Sequence, residues 1–238
     1  MNTSNCMKES GVRFCTGLVF RVAVIGLLCA CTTVRPQAAG SGITFQIQSD
    51  PEGITITGHT GTGNMITIPA AINGKKVRAI AAYAFIGKDL VSVTLPETLA
   101  VIGESAFEDN RLTSIVIPQS VISIGCAAFS RNQIKSVRIN ARLQTIEPWV
   151  FAENAISELI IPETIINIRG FAFAKNRLAA VVLPGSVTSV GPGAFEQNPV
   201  NSVSIGENVT LAKGAFRPEL LSRYSTAGKK AGTYTLHE

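Results

Sequence analysis

Hydrophobic positions recur along the chain with a period much longer than that of a helix or a strand. One column, repeated every 22 residues with the last member one residue early, contains Phe85, Phe107, Phe129, Phe151, Phe173, Phe195 and Phe216. A second column, three residues after the phenylalanines, contains Asn110, Asn132, Asn154, Asn176 and Asn198. A period that is kept this long predicts a solenoid in which each repeat forms one coil.

Each repeat also predicts a short strand. Val93 and Leu95 are apolar and alternate with polar neighbours, and Pro96 ends the strand because proline has no N–H to donate. One coil is too small to bury its own apolar residues, so we expect the strands of successive coils to form a parallel sheet and the phenylalanines to stack. We expect the asparagine column to form a ladder, because side-chain amides can satisfy backbone groups in tightly packed turns.

The sequence on either side of the repeats predicts caps. Residues 42–64 read as an N-terminal β cap, with two strands around a turn with the letters DPEG. The repeats occupy residues 65–216. Residues 217–238 read as a C-terminal cap, with a short helix over 218–226 and a last strand over 233–236. Caps of this kind cover the apolar core and the sheet edges that a solenoid exposes at its ends.

The N-terminus predicts export. Basic residues precede an apolar run over residues 22–30, which has the length of a signal peptide and is too short to span a bilayer. The run ends in the letters LCAC, which resemble a bacterial lipobox whose last letter, Cys31, would carry the lipid. On this interpretation residues 1–30 are a lipoprotein signal peptide and residues 31–41 a polar tether. An ordinary signal peptide cut elsewhere and a non-cleaved anchor remain alternatives.

The repeat consensus L-x-S-V-x-I-P followed by I-G-x-x-A-F resembles the leucine-rich repeats of BspA-like surface proteins of the treponemal type. The resemblance covers residues 66–216, and asparagine replaces the cysteine often found in the turn column. It implies an α/β-type solenoid: a right-handed leucine-rich repeat superhelix of about six 22-residue coils, with short parallel strands on one face and a cap at each end. It also implies an extracytoplasmic lipoprotein, and several such proteins are adhesins for host matrix proteins or other cells.

Charge and composition narrow the choice of function. Without the N-terminal segment, 18 basic residues face 15 acidic ones, which is not the charge of a nucleic-acid-binding protein. His59 and His237 are the two histidines, and neither has partners for a catalytic group in the repeats. Four of the five cysteines crowd the N-terminus, which gives no disulfide framework. We therefore predict no enzyme activity, catalytic residue, metal or cofactor.

One repeat contains the best candidate for recognition. Lys135 and Arg138 fall at strand positions predicted to point away from the core, and Arg142 follows just past the edge of the sheet. The position of Arg138 is apolar in nearby repeats, where it is occupied by Val116, Ile160 and Val182. This mixed surface predicts binding of a protein or an acidic glycan. The alternative is that the charges only keep the exposed sheet from associating with other chains.

Two large aromatic residues occupy a column that elsewhere contains mainly small residues. Trp149 and Phe171 are one coil apart, a distance of about 5 Å. They are predicted either to stack as an exposed anchor for a partner or to be buried in a wider coil.

Together these features predict a lipid-anchored binding module of the bacterial outer membrane. The first hypothesis is an adhesin or surface antigen that contacts the host matrix or cell surface, and the second is a periplasm-facing lipoprotein with a structural or assembly role. The oligomeric state is left open.

Overall fold

The chain forms a solenoid. The computed structural model describes residues 32–34 and 43–236, so the predicted signal peptide, Cys31, most of the predicted tether and His237 lie outside the described residues. Seven coils stack in sequence, each with one phenylalanine of the repeated column. Each coil is named below by its phenylalanine.

A front sheet is built from the strand that begins each coil. Its strands are Met65–Thr67, Ser92–Thr94, Ser114–Ile117, Ser136–Ile139, Ala180–Val182 and Ser202–Ile205. They pair in parallel as three separate ladders of two strands each. The Phe173 coil contributes a single bridge, between Ser136 and Glu158. Apolar side chains such as Ile115 and Ile117 point into the core, while their neighbours point outward, as alternation along a strand requires.

A second parallel sheet, the back sheet, follows the turn after each front strand. Its two-residue strands are Val101–Ile102, Ser123–Ile124, Thr145–Ile146, Asn167–Ile168, Ser189–Val190 and Thr210–Leu211. They form one ladder over the first two and another over the last four. The sequence predicted strands on one face only, so the back sheet was not predicted from the sequence. A strand of two residues is too short to show the alternation of apolar and polar residues by which a strand is recognised in a sequence.

The core is a continuous file of phenylalanine rings. Neighbouring rings lie 4.8 to 5.7 Å apart between centroids and within 14° of parallel. Each ring is at most 3% exposed. Each coil therefore depends on the next one for its buried surface, as the periodicity predicted.

The N-terminal cap is a hairpin that extends the back sheet. Strands Thr44–Asp50 and Gly53–Thr60 are antiparallel, and the second pairs in parallel with Lys75–Ile80. A short strand, Ala71–Ile72, also pairs with Lys75–Ile80. The turn between the hairpin strands is the predicted one, with the Asp50 carboxylate accepting hydrogen bonds from two following N–H groups.

The hairpin has an additional strand partner. Thr32–Val34, within the segment predicted as a tether, pairs antiparallel with the first hairpin strand in register with residues 45–47.

The C-terminal cap is a helix and a strand. The helix spans Pro218–Thr226, begins with proline at its first position and buries Leu220 and Tyr224. Strand Gly232–Thr235 pairs antiparallel with Ser202–Ile205 and covers the end of the front sheet. The Tyr224 hydroxyl accepts a hydrogen bond from the Val209 N–H at 2.7 Å and donates one to the Gly206 carbonyl at 3.0 Å. These contacts fix the helix against the last coil.

Candidate functional site

Four outward side chains of four successive coils form the front-face column: Val116, Arg138, Ile160 and Val182. Val116 is 52% exposed, Ile160 84% and Val182 63%. Arg138 is also exposed and lies in register with Val116. Apolar side chains this open contribute little to the core, because burial is the source of their stabilising effect. The column is therefore a surface with apolar area available to a partner.

Three cations lie in this column or beside it. Arg138 lies in the strand Ser136–Ile139, and its Nε donates a hydrogen bond to Asn140 Oδ1 at 3.2 Å. Lys135 precedes the strand by one residue, so it is exposed at the beginning of the strand rather than on its outward face as predicted. Arg142 is exposed past the end of the strand. Among the described residues, no carboxylate lies within 4.0 Å of these three cations.

The sheet is least regular beneath the middle of the column. The Phe173 coil has no front strand, and Leu159, next to Ile160, is only partly buried. Val137 and Ile139 of the adjacent coil are also partly buried, whereas Ile115 and Ile117 one coil earlier are buried. Extra apolar area is thus accessible around Arg138 and Ile160.

Two further exposed residues of the front sheet were not singled out in the sequence. Glu158, two residues before Ile160, is an exposed carboxylate on the same face. Met65, in the first front strand, is 66% exposed. Both could have been identified in the sequence, because inward and outward positions alternate along a strand.

The predicted aromatic pair lies on a different side of the coil from the front-face column, in the turns after the back-sheet strands, which we call the aromatic wall. Trp149 and Phe171 stack with ring centroids 4.3 Å apart and 13° between planes, and both are half-buried. They belong to the turn after the back-sheet strand, so the structure does not group them with the front-face column. Both have positive φ, 62° and 57°, a conformation that costs an L-residue about 1 kcal/mol or more.

A tyrosine begins the same column three coils before Trp149. Tyr83 is 47% exposed, and its hydroxyl donates a hydrogen bond to Glu104 Oε1 at 2.9 Å. That hydrogen bond is the main cause that raises the pKa of Tyr83 above its ordinary value, with burial adding to it. The tyrosine therefore remains protonated in neutral solution.

The asparagine column is a ladder of amide hydrogen bonds. Asn176 shows the pattern: its Oδ1 accepts from the Ile156 N–H at 3.0 Å, and its Nδ2 donates to the carbonyls of Phe151 at 2.9 Å and Phe173 at 3.1 Å. The same bonds recur at Asn110, Asn132, Asn154 and Asn198. Each amide thus joins two coils, and its Nδ2 group already donates to backbone carbonyls.

Charged turns next to the asparagines also connect coils. Lys175 Nζ lies 3.0 Å from Glu153, and Arg131 lies 3.8 Å from both Glu153 and the buried Glu108. These contacts are across neighbouring coils, so we interpret them as part of the stacking interface.

His59 closes the phenylalanine file at the N-terminal cap. Its ring is buried 5.3 Å from the Phe85 ring, and its Nδ1 has no hydrogen-bond partner. Burial, and to a lesser extent the positive charge of Lys88, lower the pKa of His59 below its ordinary value. The histidine is a neutral packing residue at neutral pH.

Within the described residues, no group of three or more His, Cys, Asp or Glu side chains is placed to hold a metal ion. In the same part of the chain, no helix has the length and hydrophobicity needed to cross a bilayer.

Comparisons with known proteins agree with the fold. A leucine-rich cell surface protein from Faecalibacterium prausnitzii is 24% identical over 73% of this chain, with a TM-score of 0.53. A leucine-rich repeat protein from Eubacterium ventriosum is 20% identical over 65% of this chain, with a TM-score of 0.52. The chain covers about half of each structure, 54% and 50%. A search of curated proteins found no match.

The repeat sequence assigns the chain to a family more specifically than these structural similarities do. The model of the BspA type leucine rich repeat region matches residues 64–118 and 101–220 with six copies. The match includes the phenylalanine and asparagine columns and the front strands described above. The chain therefore belongs to the BspA-type leucine-rich repeat family.

Proposed function

We propose that this protein is a non-enzymatic binding module that holds a protein partner against the front-face column. The observation that supports this most is the exposure of Ile160, 84%, between Arg138 and Val182 on the front face. Covering a fully exposed Val or Ile side chain contributes about 1.5 kcal/mol or more. The three apolar side chains of the column are 52%, 84% and 63% exposed, and each would contribute in proportion to its exposed area. Lys135 and Arg142 would steer acidic partners toward the same surface.

The proposal includes attachment to a membrane. Cys31, as a lipidated residue, would anchor the chain in the bacterial outer membrane. The cell surface description of the Faecalibacterium protein, which shares the fold, supports an extracytoplasmic location for this chain too. Cys31→Ser is expected to abolish incorporation of labelled palmitate and to release the protein from the membrane fraction. Labelling that persists in this variant would contradict anchoring at Cys31.

On the cell surface, the partner would be a host matrix or cell-surface protein, or an acidic glycan, and the protein an adhesin. The alternative is a periplasm-facing lipoprotein that binds other envelope proteins. Proteolysis of intact cells distinguishes these functions, because only a surface-exposed chain is degraded without lysis. Complete protection would remove the adhesin function and favour the envelope role.

A photo-crosslinking residue tests the binding face in the bacterial cells that make this protein, with host matrix or host cells present. The crosslinker replaces Ile160 in one variant and Thr188 in a matched control, because Thr188 is also exposed but precedes a back-sheet strand. We expect a covalent adduct with a partner from position 160 and none from position 188. Adducts only from position 188, or equal adducts from both positions, would overturn the proposed binding face.

A further inference from the structure

The spacing of the front-face column limits what shape of partner can contact all of it. The column crosses four coils, those of Phe129, Phe151, Phe173 and Phe195. The core ring centroids of these coils are 5.7, 5.6 and 5.5 Å apart in succession. Paired strands of one sheet, such as those of Val116 and Arg138, lie about 4.8 Å apart. Three steps of this size place Val116 and Val182 about 14–17 Å apart along the solenoid. A partner that contacts the whole column must therefore present one side chain about every 5 Å along this axis.

An α-helix provides this spacing. Its pitch is about 5.4 Å, and positions i and i+11 are about 16.5 Å apart on nearly the same face. An extended strand repeats its side-chain direction about every 6.7 Å, so its side chains fall at about 13 and 20 Å and lose register with the coils. The column therefore matches a helix that lies along the solenoid axis and across the front strands.

Charge determines the order of side chains on that helix. The column reads apolar, basic, apolar, apolar from Val116 to Val182, so a complementary helix reads apolar, acidic, apolar, apolar. Positions i, i+4, i+7 and i+11 of a helix lie on one face and follow this order. Glu158 lies beside Ile160 and would face a basic residue of the same helix, which fixes its direction.

We propose that the front-face column binds an amphipathic helix of the partner with an acidic residue at its second turn. This inference rests on the proposed function, because it specifies the partner of the same surface. The acidic residue pairs with Arg138, which has no carboxylate within salt-bridge distance among the described residues. The flanking Lys135 and Arg142 add to the attraction of an acidic helix.

A displayed library of random 20-residue peptides, selected on the purified full chain, tests both levels of the proposal. Binders are then tested on Ile160→Asp and on the matched control Thr188→Asp. We expect most binders to lose binding to Ile160→Asp only and to share the apolar, acidic, apolar, apolar pattern at helical spacing. Binders that depend on Ile160 but alternate every second residue, or lack the acidic position, would overturn the helix alone. Binders insensitive to Ile160→Asp would overturn the binding face itself.

A charge exchange tests the pairing with Arg138. Replacing the acidic residue of a selected peptide by lysine is expected to weaken its binding to the natural chain at least about fivefold. Binding of the lysine peptide should recover on Arg138→Glu, which in turn binds the original peptide poorly. If the lysine peptide binds both chains alike, the assigned pairing is wrong. Circular dichroism of each variant checks that the solenoid remains folded.

Discussion

The asparagine ladder gives the most quantitative prediction about stability, and Asn176 is the best position to test it. Its side chain is 6% exposed and bridges the Phe151 and Phe173 coils. In Asn176→Ala the Ile156 N–H loses its acceptor at 3.0 Å, whereas the Phe151 carbonyl loses the Asn176 donor at 2.9 Å but keeps Asn154 Nδ2 at 3.2 Å. A buried backbone group left without a partner costs about 1–3 kcal/mol. One such group, the Ile156 N–H, is created, so we expect the free energy of unfolding to fall by about 1–3 kcal/mol.

Urea denaturation followed by circular dichroism measures this change. Arg177→Ala is the matched control, because Arg177 is the next residue and is exposed, and its replacement should change stability by no more than about 0.5 kcal/mol. Asn176→Asp is a second probe: a carboxylate keeps the acceptor for Ile156 but places negative charge beside two carbonyl oxygens. It should destabilise the chain at least as much as alanine does. If Asn176→Ala unfolds at the same urea concentration as Arg177→Ala, the amide ladder does not hold the coils together.

Two other predictions concern the aromatic wall and the N-terminal cap. Gly193 has φ 62°, and a Cβ there would overlap the Phe171 ring. Gly193→Ala should therefore displace that ring and shift the fluorescence emission of Trp149, the single tryptophan. Gly185→Ala is the control, because a Cβ there meets open space, and equal emission spectra for the two variants would contradict the packing of Trp149 on Phe171. The pKa of His59 is lowered in the folded chain, so the unfolded chain binds more protons and stability is lost as pH falls below about 6.5. His59→Leu should flatten the pH dependence of the thermal midpoint between pH 7.5 and 5, and an unchanged slope would refute this role.

The sequence was sufficient for features that depend on one residue type at one spacing. The phenylalanine file, the asparagine ladder and the helix Pro218–Thr226 follow from strict columns or from a clear helix start. In each case the physical requirement is local: a ring that fills one coil, an amide that bridges two turns, or a proline at the first helical position. These features needed no knowledge of how distant parts of the chain pack.

Other features depend on interactions that no periodic pattern records. The back sheet consists of pairs such as Val101–Ile102, which pair only because the coils stack. Residues 158–161 carry the same apolar alternation as the other front strands, yet the Phe173 coil forms a single bridge there. Thr32–Val34 looks like a tether by composition and becomes a strand because the hairpin offers it an edge.

The candidate site was predicted in part. The exposure of Val116, Ile160 and Val182 follows from strand alternation, which the sequence shows directly. The placement of Trp149 and Phe171 on another wall does not, because it depends on where the turn after the back-sheet strand directs its side chains. Their role in partner binding stays a prediction separate from that of the front-face column.

The most direct test is the affinity of the crosslinked partner for three forms of the full chain, measured by calorimetric titration. Burial of the Ile160 side chain contributes about 1.5 kcal/mol or more, and a carboxylate at this position would lose its hydration against an apolar side chain of the helix. Ile160→Asp should therefore bind the partner at least about tenfold more weakly than the natural chain, while Thr188→Asp binds it with unchanged affinity. Equal affinity for all three forms would contradict the account that the front face holds the partner.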